Sequence, residues 1–228
     1  MMDEIIKNKN IYIQYDSNVF NNFTEKLFNV NYITKEGLIK SEINGRGKTL
    51  EIEYFGKEFI LKHYIRGGFI SKISYDNYIF SSLASTRSVR EYNLLNNLFL
   101  KGLPVPKPAA LKVVKNKFTY NASLITCKIQ NNGTLHDFII KNKMNNNLWF
   151  LLEKTLKDFY EHNVYHSDLN AKNILIDSNN NFHLVDFDKS YFFYNKKLFY
   201  KSIKRLDRSL LKLNNYNNEV KEIIKNFS

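Results

Sequence analysis

The stretch His166-Ser-Asp-Leu-Asn-Ala-Lys-Asn173, followed shortly by Leu184-Val-Asp-Phe-Asp188, decides how this chain is read. It sets one carboxylate, Asp168, in a polar loop just after an apolar helical pattern that ends near His162. Five residues later Asn173 opens the apolar run Asn173-Ile-Leu-Ile-Asp177. A polar turn, Ser178-Asn-Asn-Asn181, leads into Phe182-His-Leu-Val-Asp186, a second apolar run ending in a carboxylate. Two short strands joined by a turn are the expectation. Taken singly, each polar residue is a turn cap or a solvated loop group. Their order carries the information.

Phosphoryl transfer needs ligands for the metal on a triphosphate, a cation near the phosphates and a carboxylate to orient the attacking hydroxyl. Asp168 suits the catalytic base. Asn173 offers a neutral amide oxygen to a magnesium ion already crowded by phosphate charge, and Asp186 a bridging carboxylate. His166 is expected to anchor the loop by hydrogen bonding. The pattern His-x-Asp-x-x-x-x-Asn, then strand, turn and a strand ending in Asp-Phe, resembles the catalytic and metal loops of the protein-kinase-like fold. That resemblance implies an α+β, two-lobed architecture. Residues 1–130 would form an N-terminal lobe of antiparallel sheet plus one helix, and 131–228 a reduced, mainly helical C-terminal lobe.

Upstream, Asn44-Gly-Arg-Gly-Lys-Thr49 supplies Gly45 and Gly47 for a turn over phosphates, on weak spacing alone. The runs Leu50–Phe55 and Phe59–Tyr64 flank Phe55-Gly56 and predict a hairpin. Lys62 is a charge within an apolar run. Either it snorkels at a strand edge or it pairs with nucleotide phosphates, held by Glu91 of the next helix. That helix is predicted over Ser85–Lys101, with Val89, Tyr92, Leu95 and Phe99 on its apolar side, Ser85 or Thr86 as N-cap and Gly102 beyond its end. The three prolines of Gly102-Leu-Pro-Val-Pro-Lys-Pro108 require an extended connector. Strands are expected over 109–114 and 118–129 around a turn at Lys115-Asn-Lys117. Thr134-Leu-His-Asp137 has capping-box spacing. Further helices are expected from about Asn147 to Tyr160, over 196–213 and over 216–227.

The chain has 228 residues, 43% of them hydrophobic, which excludes a disordered segment. Its single cysteine, Cys127, cannot form an internal disulfide and reads as filler in a reducing compartment. Acidic residues near Met1 and the lack of a long apolar stretch argue against a secretory signal or a membrane span. A formal net charge of +12 points to an anionic partner. However, Lys, Asn, Ile, Phe and Tyr are abundant together, as an AT-rich genome would also produce.

Beyond the generic kinase pattern, Gly45-Arg-Gly, Leu61-Lys-His-Tyr-Ile-Arg-Gly-Gly68, Thr86-Arg-Ser-Val-Arg-Glu-Tyr92, the proline connector, His166-Ser-Asp-Leu-Asn170 and Val185-Asp-Phe-Asp-Lys189 resemble the 3-deoxy-D-manno-octulosonic acid (Kdo) kinases. The likeness runs from about Gly45 to Lys212. It implies ATP and Mg2+ as cofactors and transfer to the 4-hydroxyl of Kdo on a lipid A precursor. The place would be the cytoplasmic face of the bacterial inner membrane, to which the protein would bind peripherally, with no nucleic acid as partner. It also carries the family's active-site aspartate onto Asp168. Departures from protein kinases agree with a non-protein acceptor: Ser167 replaces an arginine, Asp188 replaces a glycine, and only 40 residues follow Asp188 (228 − 188). Asn170 stands where protein kinases place a lysine, so that charge is either missing or supplied by Lys172, Lys189 or Arg46. The basic stretches Lys196–Lys212 and Lys62–Lys72 would meet the anionic glycolipid. Phe69, Ile70, Ile73, Tyr75, Tyr78 and Phe80 would either face the membrane or pack in the core. Two other readings stay open: a kinase of another sugar, lipid or protein hydroxyl, and a basic nucleic-acid-binding module with a degenerate loop.

Overall fold

The computed structural model describes residues 3–43, 49–64, 78–213 and 218–227. The chain divides into two compact units, one of residues 1–93 and 107–128, the other of 94–106 and 129–228. The α+β class expected from sequence is found.

The first unit is an antiparallel sheet. In chain order its strands are β1 (Asp3–Asn8), β2 (Ile11–Asp16), β3 (Ile39–Ile43), β4 (Thr49–Tyr54), β5 (Lys57–His63), β6 (Tyr78–Ile79), β7 (Pro108–Asn116) and β8 (Thr119–Cys127). They pair in the order β1-β2-β7-β8-β5-β4-β3, with β6 also against β8. Helix α1 (Val30–Lys35), preceded by a 3-10 turn at Glu25–Phe28, lies between β2 and β3. One sheet face buries Leu50 and Ile52 of β4 opposite Leu61 and Phe59 of β5, with Leu27, Phe28 and Ile33 in the same core. These positions alternate along each strand, as side chains that point to opposite faces must. Lys62 has the other parity and leaves the sheet on the opposite side.

The β4–β5 turn is Phe55-Gly56, both at positive φ (49° and 70°), the geometry that matches the twist of hairpin strands. A phenylalanine there costs roughly 1 kcal/mol, and the residue is 72% exposed. The β7–β8 turn falls at Lys117-Phe118 rather than Lys115–Lys117, because the register carries both strands to Asn116 opposite Thr119.

Helix α2 (Arg87–Leu100) begins in the first unit and ends in the second. It buries Val89, Tyr92, Leu95 and Leu98. The last inward residue is therefore Leu98, and Phe99, expected there, is 40% exposed. Thr86 takes the N-cap position, its carbonyl accepting from the Arg90 N–H at 3.0 Å, but its side chain does not cap the helix. The Thr86 hydroxyl donates back to the Leu83 carbonyl, and the Arg87 N–H donates to the Tyr120 hydroxyl.

The second unit contains β9 (Gly133–Thr134), α3 (Leu135–Ile140), α4 (Asn146–Glu161), β10 (Val164–Tyr165), β11 (Ile174–Ile176), β12 (Phe182–Leu184), β13 (Tyr191–Phe192), α5 (Lys197–Leu211) and α6 (Asn218–Asn226). The predicted capping box is present, Thr134 accepting from the Asp137 N–H while Asp137 accepts from the Thr134 N–H. Helix α4 buries Leu148, Trp149, Leu152, Leu156 and Phe159. Helix α5 buries Phe199, Ser202, Ile203, Leu206 and Leu210. Rings of Tyr160, Phe199 and Phe227 meet at centroid distances of 5.2–6.0 Å, fastening the chain's last helical segment to α4 and α5. β11 pairs with both β12 and β9, and the Leu184 N–H reaches the Pro104 carbonyl at 3.0 Å. The proline connector thus edges this small sheet.

Candidate active site

In the first unit, Lys62 Nζ lies 3.1 and 3.0 Å from the two carboxylate oxygens of Glu91. The lysine is anchored, not snorkelling. Glu91 is 4% exposed and also accepts the Tyr64 hydroxyl at 2.7 Å. The ring of buried Tyr64 lies 5.1 Å from Lys62 Nζ and 5.2 Å from the Arg87 guanidinium. Arg87 in turn donates to the Tyr78 hydroxyl. A buried carboxylate needs such partners, since leaving it unpaired costs several kcal/mol.

In the second unit, the loop after β10 is held by its backbone. His166 is buried, and its Nε2 lies 3.0 Å from the Val185 carbonyl while its Nδ1 lies 3.2 Å from the Asp168 N–H. A carbonyl only accepts and an N–H only donates, so Nε2 carries the proton and the ring is the neutral tautomer. His166 thereby ties the Asp168 backbone to the strand end before Asp186. Beneath it, fully buried Phe187 meets the imidazole edge-on at 4.6 Å and stacks with Phe159 at 6.1 Å.

The two departures from the protein-kinase pattern acquire a structural meaning. The Ser167 hydroxyl donates to the Asp188 carbonyl, and the Ser167 N–H donates to Ser190 Oγ at 3.0 Å. A short serine thus ties one loop directly to the other. Positive φ falls at Asp186 (64°) and Lys189 (60°) but not at Asp188, so position 188 has no need of glycine.

Asp168 and Asp186 are exposed, whereas Asn173 is half-buried. The Asn173 side-chain N–H and that of Asn170 both donate to the Asp168 carbonyl, at 2.9 and 3.0 Å. That use of Nδ2 leaves the Asn173 amide oxygen as the atom for a cation. The Val185 N–H donates to the Asn173 carbonyl at 3.0 Å, setting Asn173 beside the strand that delivers Asp186. No cluster of three or more His, Cys, Asp or Glu suited to a metal occurs among the described residues. One amide oxygen and one carboxylate nevertheless fit magnesium, which keeps waters and takes phosphate oxygens for the rest of its shell.

Helix α5 contributes what the sequence reading missed. Ser202 Oγ accepts from the His166 N–H (3.1 Å) and donates to the His166 carbonyl (2.9 Å), and Ser209 Oγ accepts from the Ala171 N–H (3.1 Å). Between them on the same stripe, Arg205 Nη1 lies 3.6 Å from Asp168 Oδ1. The available signal was Ser202 and Ser209, seven residues apart, beside the apolar stripe of a basic helix, where a serine must spend its hydroxyl on something.

The structure therefore joins Lys62 to Glu91, and Asp168 to Asn173 and to the strand before Asp186. Gly45, Gly47 and Arg46 lie outside the described residues, as do Phe69, Ile70, Ile73 and Tyr75. Tyr78 and Phe80 pack on Tyr120, at 5.4 and 6.2 Å, as core packing predicts. Lys172 and Lys189 are both exposed. Burial raises the pKa of the free Cys127 thiol.

Residues 31–227 match the lipopolysaccharide kinase (Kdo/WaaP) family. Among similar proteins, the 3-deoxy-D-manno-octulosonic acid kinase of Photobacterium damsela subsp. piscicida is 32% identical over 92% of this chain and 88% of its own. The enzyme of the same name from Mannheimia succiniciproducens is 40% identical over 72% of each chain. Among solved structures, the Cydia pomonella granulovirus kinase PK-1 is similar at a TM-score of 0.44 and 19% identity, over 69% of this chain and 55% of that one.

Proposed function

Because this chain belongs to the lipopolysaccharide kinase (Kdo/WaaP) family, we propose that it transfers a phosphoryl group from ATP to the 4-hydroxyl of Kdo on a lipid A precursor, in lipopolysaccharide inner-core biosynthesis. The observation that carries this reading is its similarity, over most of both chains, to enzymes that bear the name Kdo kinase.

In this reading Asp168 accepts the proton of the acceptor hydroxyl as its oxygen forms a bond to phosphorus and the bond to ADP breaks. Lys62, held by Glu91, takes nucleotide phosphates, and Gly45 and Gly47 belong to the turn that covers them. Asn173 and Asp186 hold magnesium, which supplies positive charge at the phosphates. The nucleotide contacts then fall in residues 1–130 and the catalytic and metal loops in 131–228.

The reading places the protein at the cytoplasmic face of the inner membrane as a peripheral protein. No helix among the described residues is long and apolar enough to cross a membrane. An apolar tip supports surface attachment: Ile79 is 77% and Phe118 84% exposed, beside exposed Lys115 and Lys117. Apolar side chains with lysines around them suit an anionic bilayer surface. Co-sedimentation with phosphatidylglycerol vesicles should fall several-fold in Phe118→Asp; unchanged binding would remove this tip from the account.

The deciding experiment incubates purified protein with ATP, magnesium and a Kdo-bearing lipid A precursor. A monophosphorylated glycolipid is expected. Transfer to a protein or a simple sugar, with no glycolipid product, would sink the assignment.

A further inference from the structure

Helix α5 turns three polar residues toward the catalytic loop, and they do different work. Ser202 and Ser209 bind backbone atoms at His166 and Ala171 and so fix the loop's path. Arg205, between them, approaches the Asp168 side chain, at 3.6 Å, with side-chain exposures of 44% and 58%. An ion pair this open and this long contributes little to holding a loop. The two serines already hold it. Two other cations of this helix are engaged elsewhere: Lys204 lies 4.5 Å from the ring of Tyr200, and Arg208 Nε donates to the Lys204 carbonyl. Among the described residues Arg205 is the cation paired with Asp168, with most of its five donors unspent.

A guanidinium is a planar fork matched to a carboxylate. A hydroxyl within hydrogen-bond reach of Asp168 belongs to a molecule whose neighbouring groups lie within a few Å of Arg205. If that molecule is an acidic sugar, its carboxylate has a partner ready.

Building on the Kdo reading above, we propose that Arg205 is the receptor for the carboxylate of the acceptor sugar. Binding then exchanges one ion pair for another. The sugar carboxylate takes the fork, and Asp168, released from Arg205, accepts the hydrogen bond of the hydroxyl to be phosphorylated. A neutral sugar offers no such exchange and leaves the base paired. Arg205 thus selects for an acid beside the reacting alcohol, a choice that Lys172 and Lys189 outside this stripe do not make.

The test compares wild type, Arg205→Gln and Arg205→Lys on a Kdo-bearing lipid A precursor and on the same acceptor with its Kdo carboxylate converted to the amide. Wild type should prefer the carboxylate by on the order of 100-fold in kcat/KM. In Arg205→Gln that preference should collapse, mainly through a raised acceptor KM, with the KM for ATP and the circular dichroism spectrum unchanged. Arg205→Lys should recover part of it. A lowered kcat at unchanged acceptor KM would make Arg205 a support for Asp168 and overturn the proposal, as would a retained preference for the carboxylate. Wild type inactive on the Kdo acceptor but active on another alcohol would overturn the functional reading, and this proposal with it.

Discussion

The two units hold their charged groups in opposite ways. In the first, the charges themselves are buried and paired: Glu91 is 4% exposed and takes Lys62 and Tyr64 at 2.7–3.1 Å. In the second, the backbone is tied down by His166, Ser167, Ser202 and Ser209, while the tips of Asp168 and Asp186 stay exposed. The difference follows from what each group is for in the proposed reaction. A lysine that meets the same phosphates in every cycle is best kept in one place. A carboxylate that must take up and release a proton or a metal needs a fixed root and an open end. Rigidity is supplied through side chains in one unit and through main-chain clamps in the other.

Mutations should separate the two designs. Asp168→Ala removes an exposed tip and leaves every backbone clamp in place. Phosphoryl transfer should fall by on the order of 10³-fold or more, with the thermal midpoint within about 2 °C of wild type for so exposed a site. Full activity would refute its role as base.

Lys62→Ala should do the reverse of separating activity from stability. It leaves the buried Glu91 carboxylate with the Tyr64 hydroxyl alone, so stability should drop by about 3 kcal/mol together with activity, read by urea denaturation. The double variant Lys62→Met/Glu91→Leu sharpens the point: most of that stability should return and none of the activity, because an ion pair replaced by apolar side chains leaves no unpaired charge. A single variant as stable as wild type would contradict the buried-anchor description.

The smallest expected effect concerns the β11–β12 turn, which sets the strand leading to Asp186. Burial alone would raise the Asp177 pKa, but hydrogen bonds from His183, Asn181 and Asn179 outweigh it and hold the carboxyl at about 2. A depressed folded-state pKa means stability that is fully present above the unfolded value near 4 and is lost as pH falls toward 2. Asp177→Ala should therefore cost about 2 kcal/mol at neutral pH, and the gap to wild type should close between pH 4 and 2. A gap independent of pH would show that packing, not charge, is what Asp177 supplies.

Much of this was legible before any coordinates. The two-residue turn at Phe55-Gly56, the proline connector, the capping box at Thr134 and the paired strands around Ser178–Asn181 all announce themselves through local chemistry. So did the partnership of Lys62 and Glu91, from their order along the chain. What escaped was β1, exposed along its whole length, and β3, exposed over nearly all of it; neither shows the alternation that marks a half-buried strand. Helix α1 is too short for a periodic signal. Arg205 escaped because its contact with Asp168 spans a turn, three strands and a helix start, and no local pattern encodes a meeting across that distance.

The clamp on His166 also orders events during synthesis. Ser202, whose hydroxyl both donates to and accepts from the His166 backbone, is made 36 residues after it. At about 5–20 residues per second, the loop leaves the ribosome roughly 2–7 s before the serine that fixes it. A nascent chain therefore carries the Asp168 loop and the strands that follow it without this fastening. In the proposed reaction, the chemistry at Asp168 then waits for the helix that fixes its loop.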